Sequence, residues 1–180
     1  MEYEFNKLTL NCKVIILDSG DTIVDDYNDF IFTYKLPNHI RNVTAIKNIS
    51  TYLNVDINEN SLSDLKTSNL DIIYISLNDY NNIDIGNLQD EHDKPRIFAS
   101  IEYDINNKVN NNVINNIKYV CGGELRTDTD SYYANPVIPE IRDLSVKLYK
   151  SDGSVLKKKD VKRLIMKLAV YNTFGKIAMN

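Results

Sequence analysis

Apolar residues recur at every second position in four segments of this chain: Leu8–Ile16, Phe30–Leu36, Leu144–Leu148 and Leu164–Val170. A β-strand turns successive side chains to opposite faces, so this alternation is typical of a strand with one apolar face. The apolar rows are Leu8, Leu10, Cys12, Val14 and Ile16; Phe30, Phe32, Tyr34 and Leu36; Leu144, Val146 and Leu148; and Leu164, Met166, Leu168 and Val170. The pattern predicts four strands, each with one buried and one solvated face.

Three further segments, Val43–Val55, Asp71–Leu77 and Arg96–Asp104, are rich in β-branched or alternating apolar residues, and they predict strands as well. Pro37 is predicted to end the strand that starts at Phe30, because proline has no N–H to give to a central ladder.

Glycines mark two predicted hairpins. In "IKYVCGGEL", Gly122 and Gly123 supply the positive φ angles of a tight turn, and in "RDLSVKLYKSDGSVL" the chain turns at Ser151-Asp152-Gly153. Only Asn58–Asn69 and Lys157–Leu168 are candidate helices, and both are short.

Strands separated by turns, without strand–helix alternation, predict an all-β fold. We expect a single jelly roll, an antiparallel β-sandwich of about eight strands with at most short helices. At 180 residues, the chain is expected to form one domain over 1–180, with residues 1–7 as a candidate N-terminal arm.

Composition excludes several classes of protein. A net charge of -4 argues against a general nucleic-acid binder, and the basic run Lys150–Arg163 is interpreted as a solvated hairpin. The chain has no apolar run of the ~20 residues that a transmembrane helix needs, and "MEYEFNK" lacks the features of a signal peptide. Cys12 and Cys121 are expected to be free, buried thiols in a soluble intracellular product.

The segment "ILDSGDTIVD" resembles the first motif of haloacid-dehalogenase-type phosphatases, a strand followed by Asp-x-Asp-Gly-Thr-Leu. Here Gly20 stands where that motif has its second Asp, and Asp21 where it has Gly. Such a phosphatase also needs parallel strands joined by crossover helices, whereas this chain shows hairpins. We therefore interpret the segment as a corner: Asp18 and Ser19 end the first strand, Gly20 permits the bend, and an acidic loop follows.

The histidines do not suggest catalysis. His39 lies beside a predicted strand with no nucleophile motif near it, so a surface position is expected. His92 is flanked by Asp90, Glu91 and Asp93, but consecutive loop residues seldom converge on one metal ion.

Two acidic pairs are weak candidates for a calcium site and for a catalytic carboxylate pair. Asp128 and Asp130 have the spacing of a calcium loop but lack its Gly and its bidentate Glu. Asp25 and Asp26 are adjacent, and sequence spacing does not fix the carboxylate separation that a glycosidase needs. We therefore expect no catalytic residues, no cofactor-binding residues, no metal site and no cofactor.

A longer pattern over Val14–Val55 resembles the start of single jelly-roll penton and minor capsid proteins of large double-stranded DNA viruses and virophages. The matching residues are Asp18, Ser19, Phe30, Phe32, Leu36, Pro37, Ile40, Asn42, Val43 and Ile46. The family usually has an Arg after Asp-Ser, where this chain has Gly20-Asp21. The segments "DIIYISLNDYNNI", "PRIFASIEYD" and "NPVIPEIRDLSVKLYKSDGSVL" resemble later strands of the family, so the resemblance covers about Val14 to Tyr171.

The resemblance implies a structural, non-enzymatic protein of an icosahedral capsid, made in the host cytoplasm and located in the virion. It implies the penton, a homopentamer at the five-fold vertex, or another minor capsid protein. The implied partners are the major capsid protein and other minor capsid proteins, with no direct nucleic-acid contact and no membrane insertion. A glycan- or receptor-binding β-sandwich on the virion surface is the alternative, and a Mg²⁺-dependent phosphatase is a remote one.

Overall fold

The computed structural model describes residues 9–21, 31–55, 69–81, 83–84, 96–102, 117–122 and 131–174. The strands in these ranges are β1 (Thr9–Asp18), β2 (Ile31–Val55), β3 (Ile72–Leu77), β4 (Ile83–Asp84), β5 (Arg96–Ile97), β6 (Ala99–Glu102), β7 (Ile117–Gly122), β8 (Ser131–Lys150) and β9 (Val161–Phe174). Short 3₁₀ turns cover Ser19–Asp21 and Lys158–Asp160. The fold is all-β, as the alternation predicted.

The strand order is that of a jelly roll. The main sheet runs β1-β9-β2-β8-β3-β6, with β7 also paired to β2, and all of these pairs are antiparallel. The first part of β2 pairs with β8, while its second part pairs with β9 and β7. Two four-stranded layers, β1-β9-β2-β7 and β2-β8-β3-β6, are thus joined by one long strand, and the sheet curls on itself.

The bend of β2 lies between its two halves. Its register with both neighbours shifts between Val43 and Ala45, and Asn42 has a φ of 54°. A positive φ is uncommon outside glycine, and asparagine tolerates it better than most residues. The bend therefore takes one strand from one layer into the other.

Pro37 does not end the strand, and that prediction is wrong. β2 continues through Pro37, because the ladder with β8 is interrupted between Lys35 and Ile40. A register irregularity leaves no ladder position for the missing N–H, so proline is tolerated there.

The apolar rows of β2, β8 and β9 line the space between the layers, as predicted. Buried members include Phe32 and Tyr34 on β2, Leu144, Val146 and Leu148 on β8, and Leu164, Met166, Leu168 and Val170 on β9. Ala99 and Ile101 join the same core, together with Phe98, which the alternation did not predict. Ile97 is buried as well.

The turn at Ser151-Asp152-Gly153 is confirmed, with Gly153 at a φ of 83°. Its second arm is one isolated bridge, Tyr149 to Val155, rather than a strand. The candidate helix at Lys157–Leu168 is instead a 3₁₀ turn followed by β9. The candidate helix at Asn58–Asn69 and the turn residue Gly123 lie outside the described residues, apart from Asn69.

Candidate functional site

β1 ends at Asp18, and the carboxylate of this residue accepts hydrogen bonds from Gly20 and Arg163. Its Oδ1 accepts a hydrogen bond from the backbone N–H of Gly20 at 3.0 Å, and its Oδ2 lies 2.7 Å from Nη2 of Arg163 on β9. The Nε of Arg163 lies 3.4 Å from Oδ1, so the guanidinium faces both oxygens. The bond from Arg163, supported by that from Gly20, lowers the pKa of Asp18 below 3.8.

Ser19 attaches the same corner to β9. Its Oγ accepts a hydrogen bond from the backbone N–H of Leu164 at 2.9 Å. The 3₁₀ turn Ser19–Asp21 begins at this residue. The interpretation of this segment as a strand-ending corner is confirmed.

Gly20 is not the reason for the bend, which corrects one part of that interpretation. Its φ is not positive, and a Cβ built there meets nothing nearer than Asp18 Oδ1 at 3.5 Å. An alanine side chain therefore fits this position.

The phosphatase alternative finds no support at this corner. The Asp18 carboxylate is held by Arg163 and Gly20. The surrounding strands are antiparallel neighbours rather than members of a parallel sheet with crossover helices.

His39 belongs to a charged cluster on β2 and β8 that the sequence did not predict. Glu140 Oε1 lies 3.2 Å from His39 Nδ1 and 3.3 Å from Arg41 Nε, and Glu140 Oε2 lies 2.6 Å from Arg142 Nε. The bond from Arg142 is the largest cause that lowers the pKa of Glu140 to about 2, and Arg41 and His39 add to it. The expected surface position of His39 is confirmed, since nearly half of its side chain is exposed.

A signal for this cluster was present in the sequence. His39 and Arg41 are two residues apart, as are Glu140 and Arg142, and such pairs share a strand face. This spacing does not predict that β2 pairs with β8, and it is that pairing which places Arg41 opposite Glu140. Glu140 of β8 thus contacts His39 and Arg41 of β2, and these contacts link the two strands.

Other candidates lie outside the described residues: Asp25, Asp26, Asp90, Glu91, His92, Asp93, Asp128 and Asp130. Within the described ranges, no three His, Cys, Asp or Glu side chains are grouped closely enough to hold a metal ion. Cys12 is an exposed free thiol, so the expectation of a buried one is wrong for this cysteine. The side chain of Cys121 is outside the described set.

The apolar row of β1 faces outward, contrary to the burial that its alternation predicts. Leu10, Val14 and Ile16 are 60%, 55% and 66% exposed, and Cys12 between them is also exposed. The opposite row turns Leu17 and Ile15 toward the core. An alternating pattern shows which side chains share a face, and it does not show whether anything covers that face.

A groove of about 340 Å³ opens beside this row, on the outer side of the sheet. Its lining residues are Leu10, Thr44, Ala45, Lys47, Ser131, Tyr133 and Tyr171. The small side chain of Ala45 lies between Tyr133 and Tyr171 in the strand register, so the surface is concave at this point. The groove and the exposed β1 row share Leu10, so they are neighbours on the surface.

None of the helical segments in the described ranges has the length and hydropathy to cross a bilayer. No protein-family model matches this chain, and no curated protein matches it in sequence.

Proposed function

We propose that this chain is a structural, non-enzymatic protein of the icosahedral capsid of a large double-stranded DNA virus or virophage. Within that class we propose the penton, five copies of which fill a five-fold vertex. The observation that carries the proposal is the strand order, two antiparallel four-stranded layers joined by β2, in a chain whose motifs resemble those of jelly-roll capsid proteins.

Five of the ten residues that carry the resemblance lie where the chain turns or changes register. Asp18 and Ser19 form the corner after β1, and Pro37 lies at the register break of β2. Asn42 and Val43 lie at the bend that joins the two layers. Residues with such roles are required by a jelly roll whatever it assembles into, so they support the fold first and the capsid role through the resemblance.

The exposed apolar row supports a role in assembly. Scattered apolar side chains are normal on a surface, whereas a contiguous patch on a soluble protein marks an interaction site. Leu10, Val14 and Ile16 form such a patch beside a groove with two tyrosines. Tyrosine is enriched in interface cores, where its ring is buried and its hydroxyl remains solvated.

The proposed partners follow from that role: further copies of this chain, the major capsid protein and other minor capsid proteins. The proposal includes no direct contact with nucleic acid, in keeping with the net charge of -4. It places the protein in the virion shell after synthesis in the host cytoplasm.

Mass spectrometry of purified particles tests this function. Peptides of the chain should be present at a constant ratio to the major capsid protein, with about five copies per vertex, as a cyclic pentamer requires. Absence from intact particles contradicts the capsid role, and a ratio far from five per vertex contradicts only the penton assignment.

A glycan- or receptor-binding module is the second candidate, and the groove is the observation that favours it. Tyr133 and Tyr171 offer ring faces of the kind on which sugars stack, in a chain that has no Trp. Jelly rolls serve as binding modules as well as shells, so the fold does not choose between them. Binding on a glycan array that is lost in Tyr133→Ala favours this candidate, and an array without binding contradicts it.

A further inference from the structure

The outer face of the β1 half of the sheet is continuous across four strands. Residues directly opposite in antiparallel strands point to the same side, so the pairing registers define rows of neighbouring side chains. The rows are Cys12, Tyr171, Ala45 and Tyr133; Val14, Ala169, Lys47 and Ser131; and Ile16, Lys167 and Ser50. The exposed row of β1 and the tyrosine groove therefore belong to one surface, which we call the outer β1 face.

β1 is also open along its edge. Among the described strands, it pairs only with β9, and that register runs from Thr9 to Asp18 without a break. Edges are usually blocked by a proline, a bulge or outward charges. β1 contains no proline and no bulge, and the side chains of its exposed row are uncharged. Its one lysine, Lys13, lies in the opposite row. Both its backbone edge and its apolar row are thus suited to contact with another protein surface.

We infer that the outer β1 face is the surface on which a second, neighbouring copy of this chain docks. The inference rests on the proposed function, and it deepens it by naming the residues through which copies meet in the ring. The groove between Tyr133 and Tyr171 receives an apolar side chain of the neighbour, while Val14 and Ile16 lie against its surface.

The size of the face favours a repeated contact between copies over a single small partner. Four strands about 4.8 Å apart, and six residue steps of about 3.3 Å from Leu10 to Ile16, give roughly 400 Å². A standard interface buries about 800 Å² on each partner, so this face alone makes a weak complex. In a closed ring each copy is held at two interfaces, and the second contact forms at high effective concentration.

Charge also favours a copy of this chain. Only Lys47 and Lys167 are charged in the rows of the outer β1 face, and both are cationic. The chain has 25 acidic and 21 basic residues, so another copy carries a net negative charge of the sign that these lysines attract. Nucleic acid would meet too few cations and too much apolar surface here.

The test measures the native mass of the full-length protein and of variants. Val14→Asp puts a carboxylate in the middle of the exposed apolar row of β1, and Ala45→Phe fills the groove without adding charge. Val137→Asp is the matched control, because Val137 is 42% exposed on β8 but does not line the groove. Circular dichroism melts establish that each variant folds.

We expect the wild type and Val137→Asp to be oligomeric at the same concentration, and Val14→Asp and Ala45→Phe to be monomeric. The dissociation constant should rise by at least about tenfold, as for loss of a central contact. Alkylation of Cys12, followed by peptide mapping to separate it from Cys121, should be slow in the wild type and fast in Val14→Asp.

Each other outcome overturns the inference. A wild-type oligomer whose mass and Cys12 labelling are unchanged in Val14→Asp shows that copies meet elsewhere, and it leaves the capsid role standing. A wild-type monomer at assay concentrations also contradicts the inference. The capsid role is decided separately, by the presence or absence of the chain in purified particles.

Discussion

Asp18 and Arg163 are 145 residues apart in the chain, and their side chains meet at the corner after β1, with Oδ2 and Nη2 at 2.7 Å. The pair joins the end of β1 to the start of β9, the strand that follows the 3₁₀ turn at Lys158–Asp160. Together with the bond from the Leu164 N–H to Ser19 Oγ, it fixes the direction in which the chain leaves the sheet.

Replacing Asp18 by Asn should lower the free energy of unfolding by about 0.5–1 kcal/mol at pH 7, since the pair is partly exposed and solvent screens it. The folded-state pKa of Asp18 lies below 3.8, so its stabilisation is fully present above the unfolded-state pKa. It is lost as the pH falls through the lowered folded-state value. Urea unfolding of both proteins from pH 7 downward should therefore show a difference that disappears in acid.

Arg163→Met should reproduce the loss at neutral pH, because it removes the other partner. If Asp18→Asn and the wild type unfold at the same urea concentration at pH 7, the ion pair does not stabilise the corner.

Ser19→Ala should destabilise the protein by about 1 kcal/mol, because the Leu164 N–H then loses its acceptor at a part-buried position. Ser19→Thr retains a hydroxyl and is the matched control. Thermal melts of the two variants should separate, with Ser19→Thr close to the wild type. Equal melting temperatures for the two variants would assign the effect to packing instead of the hydrogen bond.

Gly153→Ala and Gly20→Ala should behave differently, although both glycines lie in turns. Gly153 has a φ of 83°, which an L-residue adopts at a cost of about 1 kcal/mol or more. Gly20 has no positive φ, and a Cβ there makes only ordinary van der Waals contact with Asp18, so Gly20→Ala should leave stability within about 0.5 kcal/mol of the wild type. Chemical denaturation of both variants measures the contrast, and a destabilised Gly20→Ala would contradict the account of the corner.

Glu140 should titrate with a pKa of about 2, well below its ordinary value of 4.5. Arg142→Met should raise that pKa, because the bond from Arg142 Nε is its largest cause, and Arg41→Met should raise it less. A carboxyl-detected NMR titration measures all three proteins. The stabilisation by this cluster should be complete above pH 4.5 and be lost only as the pH falls through about 2. A wild-type value near 4.5 would show that the cluster does not form in solution.

The sequence predicted the fold class and much of the core, because alternation along a strand is a local property. Leu144, Val146 and Leu148 on β8 are buried as their spacing indicates, and the jelly-roll topology agrees with the order of strands and turns. The prediction that the strand ends at Pro37 is wrong because the register of β2 with β8 is irregular at this residue. No local sequence pattern shows such an irregularity.

The features that define the surface were beyond local reasoning. Val14 and Ile16 share a face as predicted, but only the folded structure, in which Leu17 of the opposite row packs into the core, shows that this face is outward. Likewise, Arg163 lies 145 residues from its partner Asp18, and His39 and Arg41 lie about 100 residues from Glu140. Strand pairing, which the sequence alone does not show, brings these residues together.

The most direct test of the capsid role is a cryo-electron microscopy reconstruction of the virus particle, refined about its five-fold axes. We predict that each vertex density accommodates five copies of this jelly roll, with the outer β1 face of every copy against its neighbour. A vertex occupied by a different fold, in particles that contain no density for this chain elsewhere, would contradict the account.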